Sequence, residues 1–184
     1  MLAPVDVTNM RLETLRLILR PWKTSDLADL YQYASVSGVG EMAGWNHHKS
    51  AEESRMILDM FIREKKTLAV EYKENGKVIG SIGLEAIDFP EAPGLLGREV
   101  GYVLSRTYWG TGLMPEAVSA VLAYCFEILH FDWLTCSHYL WNDQSCRVIE
   151  KCGFRYVRDE VRETHYNTKE PSKLYIQYNP NIER

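Results

Sequence analysis

The chain has 184 residues, 46% of them hydrophobic and 25% charged, with a formal net charge of -4 and a pI near 5.8. That length is read as one domain, residues 1–184, able to bury a sizeable core. The acidic balance argues against a nucleic-acid partner held by phosphate contacts, and no apolar run is long enough to cross a bilayer, so no membrane partner is expected.

Met1 to Met10 reads as a loose, irregular lead-in. It has no apolar stretch of the secretory kind, which points to the cytoplasm. Leu15 to Leu19 alternates around Arg16 and predicts a first strand. Lys23-Thr24-Ser25-Asp26 offers helix-capping residues ahead of the stripe Leu27, Leu30, Tyr31 and Ala34. Val36 to Lys49 is rich in glycine and polar residues and predicts a loop. Ser50-Ala51-Glu52-Glu53 has the form of a capping box, opening a helix that runs to about Lys66.

Strands are predicted over Leu68 to Tyr72 and Val78 to Ile87. Between them Asn75-Gly76 marks a hairpin, because both residue types accept positive φ. A loop follows from Phe89 to Gly97, then a strand from Arg98 to Ser105. Tyr108 to Gly112 is a glycine turn, and Leu113 to Leu129 a long apolar helix. Trp133 to Tyr139 predicts a strand, and Asn142 caps a short helix that stops at Gly153. Phe154 to Thr164 and Leu174 to Tyr178 form a closing hairpin. The apolar residues of that hairpin suit either core or a dimer surface, leaving monomer and homodimer both open.

The order β α α β β β α β α β β makes an α/β (α+β) domain. The strand–helix–strand unit around the glycine turn implies a parallel pair, and the flanking hairpins imply antiparallel ones, so the sheet is mixed. Cys125, Cys136, Cys146 and Cys152 contain no CxxC pair and read as reduced thiols. His47 and His48 lack the helical spacing of a metal pair, and no metal is expected.

The glycine turn is the first candidate for chemistry. Amides at a helix N-terminus are unpaired and sit at the positive end of the helix dipole, which suits a phosphate. Gly110 and Gly112 let backbone approach closely, and the N–H groups of Gly110, Thr111, Gly112, Leu113 and Met114 can donate; Pro115 cannot.

Three stretches together resemble the GNAT acyltransferase superfamily, and within it the ribosomal-protein N-acetyltransferase branch (RimJ/RimL type). They are Glu13-Thr14-Leu15-Arg16-Leu17-Ile18-Leu19-Arg20-Pro21; Arg98 to Ser105 followed by Tyr108-Trp109-Gly110-Thr111-Gly112; and Asn142-Asp143-Gln144-Ser145 with Glu150-Lys151-Cys152-Gly153-Phe154. The resemblance implies a mixed sheet, splayed in the middle, that holds acetyl-CoA in a V-shaped gap. Trp109, Gly112 and Met114 occupy the places of the family's pyrophosphate motif, Met114 being a departure from Gly or Ala. Many relatives carry a tyrosine in the last helix to protonate the leaving thiolate; here that place holds Ile149.

On that resemblance the backbone of Tyr102, Val103 and Leu104 is expected to meet the pantetheine and the thioester carbonyl. In a splayed strand these groups have lost their neighbour. Gly101 is read either as a bulge that opens the sheet or as a close-packing point. Glu99 is the candidate general base, through a water, with Glu85 its rival. Asn142 is expected to touch the cofactor, and Ser145 is the remaining candidate for the thiolate's proton. Trp45 and His47, in the loop after the first helix, are expected to line the acceptor entrance, while Tyr139 and Trp141 suit either an acyl channel or the core. The implied activity is transfer of an acetyl group from acetyl-CoA to an amine, plausibly a protein N-terminal α-amine. A small-molecule amine acceptor and a non-catalytic acyl-CoA-binding module are the alternatives.

Overall fold

The computed structural model describes residues 2–182. Eight strands form one mixed sheet. In chain order the elements are β1 (Leu12–Glu13), β2 (Leu17–Pro21), α1 (Leu27–Ala34), α2 (Ala51–Glu64), β3 (Thr67–Tyr72), β4 (Lys77–Glu85), β5 (Gly97–Leu104), α3 (Leu113–Glu127), β6 (Trp133–Tyr139), α4 (Asp143–Lys151), β7 (Arg155–Glu163) and β8 (Lys169–Tyr178). The spatial order is β1-β2-β3-β4-β5-β6-β8-β7, antiparallel throughout except for the β5–β6 pair. The parallel pair is the one the strand–glycine turn–helix–strand pattern demands.

The sheet separates two apolar layers. On one face Leu17, Leu19, Leu68, Val70, Ile82, Leu84, Val100 and Leu134 pack against Leu113, Val118, Val121 and Leu122 of α3 and Ile149 of α4. On the other, Ala69 and Val103 pack against Leu30, Tyr33 and Ala34 of α1 and Leu58 of α2, with Trp22 and Val39. α3 is buried along most of its length, which explains its nearly unbroken apolar sequence. β7 forms the far edge of the sheet, and its sequence Arg-Tyr-Val-Arg-Asp-Glu-Val-Arg-Glu places charges along that edge, which discourages pairing with another chain.

Local chemistry fixes the boundaries. Ser50 Oγ accepts the Glu53 amide at 3.2 Å, but the Glu53 carboxylate takes the Lys49 amide at 2.6 Å, so only half of the expected capping box closes. The strand expected from Leu15 is β2 and begins two residues later, at Leu17, because Leu15 is 88% exposed, and the short β1 before it went unread. The lead-in is a correction to the sequence reading. Ala3, Val7 and Met10 are buried, Leu2 bridges Gly97, the Val7 amide donates to Lys65 O, and Arg98 donates to Ala3 O at 2.7 Å. Apolar residues at four- and three-residue spacing in the first ten carry that docking. A buried ion network, Arg20 with Asp26 at 2.8 Å and Glu71 at 2.6 Å, ties β2 to β3 and to the turn before α1.

Candidate active site

The β5–β6 pairing ends abruptly. It holds Gly97 with Trp133, Arg98 with Leu134 and Glu99 with Thr135, and then the strands part. On its other side β5 stays paired with β4 as far as Leu104. The Ser105 amide donates to Ile79 O at 2.7 Å, which fixes the alternation of that antiparallel ladder. Odd-numbered amides of β5 therefore face β4, and those of Tyr102 and Leu104 face the opening. The Val103 amide is turned toward Ser81, so Val103, though it lines the cleft, offers it no free amide. Neither reading of Gly101 survives. The β4–β5 register runs through it without a shift, and a Cβ there would meet nothing within 4 Å. The gap opens because β6 diverges, not because β5 is bulged.

The end of β5 beyond the parting borders a cleft of about 380 Å³, lined among others by Tyr102, Leu104, Trp109, Gly112, Asn142 and Ser145. Its far end is the glycine turn. Gly110 and Gly112 have φ of 76° and 79°, a left-handed conformation that a side chain disfavours. Gly112 is the cap residue of α3, and among the described residues the amides of Gly110, Gly112, Leu113 and Met114 make no hydrogen bond. They are the donors an anion would meet. The Met114 side chain is buried in the core at 4% exposure, so its departure from the family pattern leaves the turn's open face clear. Trp109 donates its indole N–H to Leu104 O at 2.7 Å, which clamps the turn to the end of β5.

Two residues that the sequence reading treated only as strand and helix sequence hold this turn from behind. Glu116 accepts from the Arg16 amide at 2.8 Å, from Arg16 Nε at 2.7 Å and from Thr14 Oγ1, and Arg16 Nη1 donates to Thr111 O at 2.9 Å. Burial works against the Glu116 charge, but these donors hold its carboxyl below the usual range. Arg147 and Lys151 were also missed. Both line the cleft from α4, and their four-residue spacing on one helix was the available signal.

At the near end, Asn142 Oδ1 caps α4 by accepting the Ser145 amide at 3.0 Å, and its Nδ2 donates to Met42 O at 3.0 Å. Capping thus occupies its oxygen, and the amide nitrogen joins α4 to the loop that follows α1. Ser145 Oγ lies 2.9 Å from the Tyr102 hydroxyl, which also donates to Ser145 O at 3.2 Å. Burial pushes the Tyr102 phenol well above its ordinary pKa, so it is a neutral proton carrier. Ile149, at the place where the family resemblance leads one to expect a tyrosine, is 1% exposed and belongs to the core. The phenol at Tyr102 was invisible to the sequence reading, which used only that residue's backbone.

Glu99 lies on the opposite face of the sheet from the Tyr102 side chain, as alternation requires. Both of its oxygens meet Arg162, at 2.9 Å and 2.7 Å, and Arg162 also reaches Glu160 at 2.5 Å. Burial opposes the Arg162 charge, and the two carboxylates outweigh it and raise its pKa. Glu85, the rival, pairs with Lys66 at 2.7 Å. Trp45 and His47 do not line the cleft. Trp45 packs on Gly40 and against His48, while His47 Nδ1 lies 2.8 Å from Glu41. Glu41 also accepts the amides of Gly38 and His47. Burial acts against its charge, but the His47 ring and these amides bring its carboxyl down to about 2. Tyr139 stacks on Trp141 with centroids 5.2 Å apart, and its hydroxyl sits against Gly44. The loop is thus an organised wall rather than a set of free ligands. No group of three or more His, Cys, Asp or Glu side chains is placed to hold a metal among the described residues.

A mixed sheet parted beside a glycine turn at a helix N-terminus is the frame of an acyltransferase. Residues 16–155 match the acetyltransferase (GNAT) domain, and the chain belongs to that family. It is an acetyl-transferring enzyme, an N-acetyltransferase. It is 28% identical over 149 residues to the uncharacterized N-acetyltransferase YoaA of Bacillus subtilis (strain 168), covering 78% of this chain and 82% of YoaA. The crystal structure of a GNAT-family acetyltransferase from Bacillus anthracis superposes with a TM-score of 0.80 at 23% identity, over 92% of this chain and 99% of that one. The ribosomal-protein-S5-alanine acetyltransferase of Vibrio fischeri gives a TM-score of 0.74 at 20% identity, over 95% of this chain and 100% of that one.

Proposed function

We propose that the enzyme binds acetyl-CoA in the cleft and passes its acetyl group to a protein N-terminal α-amine. The observation that carries the donor half is the coincidence of two sets of unpaired amides, those of Tyr102 and Leu104 beside the gap and those of residues 110, 112, 113 and 114 at the turn. The turn receives the pyrophosphate, with Arg147 and Lys151 as cations beside it, and the pantetheine runs along β5. The amides beside the gap are preorganised donors for the carbonyl oxygen as it becomes an oxyanion.

The reaction needs a neutral amine to attack the carbonyl carbon. The C–N bond forms, the C–S bond of the tetrahedral intermediate breaks, the nitrogen loses a proton and the thiolate takes one up. The Tyr102 hydroxyl and Ser145 Oγ, linked at 2.9 Å, are the pair we assign to the thiolate's proton. Positioning of the two reactants supplies much of the rest.

The acceptor assignment rests on the state of the two carboxylates. Glu99 and Glu85 are each already engaged by a cation, Arg162 and Lys66. An α-amine, with a pKa near ~8, is partly neutral at physiological pH and asks little of a base, whereas a lysine side chain near ~10.4 asks more. Glu99 can still accept a proton through a water.

The test is direct. The protein is incubated with acetyl-CoA and peptides bearing a free N-terminus, the same peptides with blocked N-termini and an internal lysine, and small polyamines, while free thiol and acetylated product are followed. Acetylation of the free N-termini alone is expected. Turnover only with polyamines or lysine side chains would refute the acceptor assignment, and no heat of binding with coenzyme A at millimolar concentration would refute the donor assignment.

A further inference from the structure

Along the cleft half of β5, between buried Val100 and buried Val103, Gly101 and Tyr102 are both partly exposed. These neighbours point to opposite faces. Tyr102 opens into the cleft under α4. Gly101 opens on the other face, where its cross-strand partner is Gly83. The two glycines leave a bare patch in the sheet. Beyond it lies the cross-strand pair Glu85 and Glu99, and the Glu85 carboxylate leans over Gly83, 2.8 Å from where a Cβ would stand. Over Gly101 there is nothing within 4 Å, and its φ is not positive. Neither packing nor backbone conformation therefore calls for glycine here. Beside this spot Thr135, paired with Glu99 at the last rung before the strands part, has a fully buried hydroxyl with no partner among the described residues.

We propose that the empty space over Gly101 is the seat of the acceptor's amine-bearing carbon, and that the missing side chain admits acceptors branched at that carbon, as every N-terminal residue except glycine is. This rests on the acetyl-transfer reading above. The attacking nitrogen comes through the parted sheet from the α1/α2 face, toward a thioester held on the side of Tyr102 and Ser145. A methyl group on residue 101 would then collide with the acceptor's own side chain and with nothing in the protein.

The test needs no identified acceptor. Coenzyme A is S-alkylated with a carboxymethyl group amidated either by alaninamide, which is branched, or by glycinamide, which is not. Each conjugate spans both subsites. Affinities of coenzyme A and the two conjugates are measured by calorimetry for the wild type, Gly101→Ala and Gly101→Val. In the wild type both conjugates are expected to bind at least about tenfold tighter than coenzyme A. Gly101→Ala should leave coenzyme A within about twofold, remove the gain for the alaninamide conjugate and spare most of it for the glycinamide conjugate. Gly101→Val should remove both gains. Equal treatment of the two conjugates by Gly101→Ala, or no gain in the wild type, overturns the inference while leaving the donor site standing. Failure of coenzyme A itself to bind the wild type overturns the functional reading and the inference with it. Should Gly101→Val lose coenzyme A binding, Gly101→Ala, for which the structure has room, decides.

Discussion

Replacing Arg162 by Met isolates the worth of the charge chain that fixes Glu99. The Arg162 side chain is 27% exposed and that of Glu99 11%, and Arg162 bridges Glu99 and Glu160. Removing one partner of a buried pair usually costs about 3–5 kcal/mol, because the remaining charge is stranded. The partial exposure of Arg162 lets water screen what is left, which brings the expected loss to about 2–3 kcal/mol. For a chain of this size that is roughly 5–10 °C in Tm. The companion Glu99→Gln leaves Arg162 paired with Glu160 and should cost about 1 kcal/mol or less, a neutral-acceptor replacement at a largely satisfied site. In the double variant Glu99→Gln/Arg162→Met no carboxylate is stranded at position 99, so more than half of the single-variant loss should return. Urea and thermal unfolding of all four proteins complete the cycle. A double variant at least as unstable as Arg162→Met would refute the claim that the guanidinium serves mainly to neutralise Glu99.

Gly112→Ala should weaken coenzyme A binding at least about tenfold by calorimetry and lower stability by about 1 kcal/mol, since φ is 79° there; unchanged affinity would remove the turn from the site. Tyr102→Phe and Ser145→Ala should each reduce kcat about 10- to 100-fold with little change in the affinity for coenzyme A, and a loss confined to KM would count against the proton role. Arg147→Ala/Lys151→Ala should weaken coenzyme A and flatten the salt dependence of its binding, whereas an unaltered salt slope would place the phosphates elsewhere. Two pH effects differ in sign of charge but not in direction. Burial holds the His48 imidazole below its usual 6.5, so its contribution to stability is complete above that value and is lost as pH falls below it. Glu41, at about 2 against 4.5 unperturbed, contributes above 4.5 and loses that contribution as pH falls toward 2. Thermal melts against pH should therefore show His48→Gln flattening the upper window and Glu41→Gln the lower; no change in either curve would refute these assignments.

Much of the frame is legible in the chain because it is written locally. The Asn75-Gly76 hairpin, the glycine turn and the Asn142 cap depend on residues a few positions apart, and they stand where the spacing puts them. The parallel β5–β6 pair follows from the strand–helix–strand connection through α3. What escaped was long-range. Arg162 reaches Glu99 across 63 positions and Arg16 reaches Glu116 across 100, and no local pattern announces either. Strand alternation requires that Glu99 and Tyr102 face apart, but does not say what each face meets. The resemblance puts Trp45 and His47 at the acceptor entrance, and it gives no sign that Trp45 packs on Gly40 or that His47 meets Glu41. The lead-in reads as loose for want of regular structure, although Ala3, Val7 and Met10 are held in the core.

The clasp between Arg16 and Glu116 couples the beginning of the chain to occupancy of the cleft. Any excursion that frays β2 releases the Thr111 carbonyl and lets the turn relax. A ligand that requires the ordered turn must then suppress that fraying by mass action, to the extent of its saturation. On the proposed seating of the pyrophosphate, deuterium uptake at the amides of Arg16 and Leu17 is expected to fall as coenzyme A saturates the cleft.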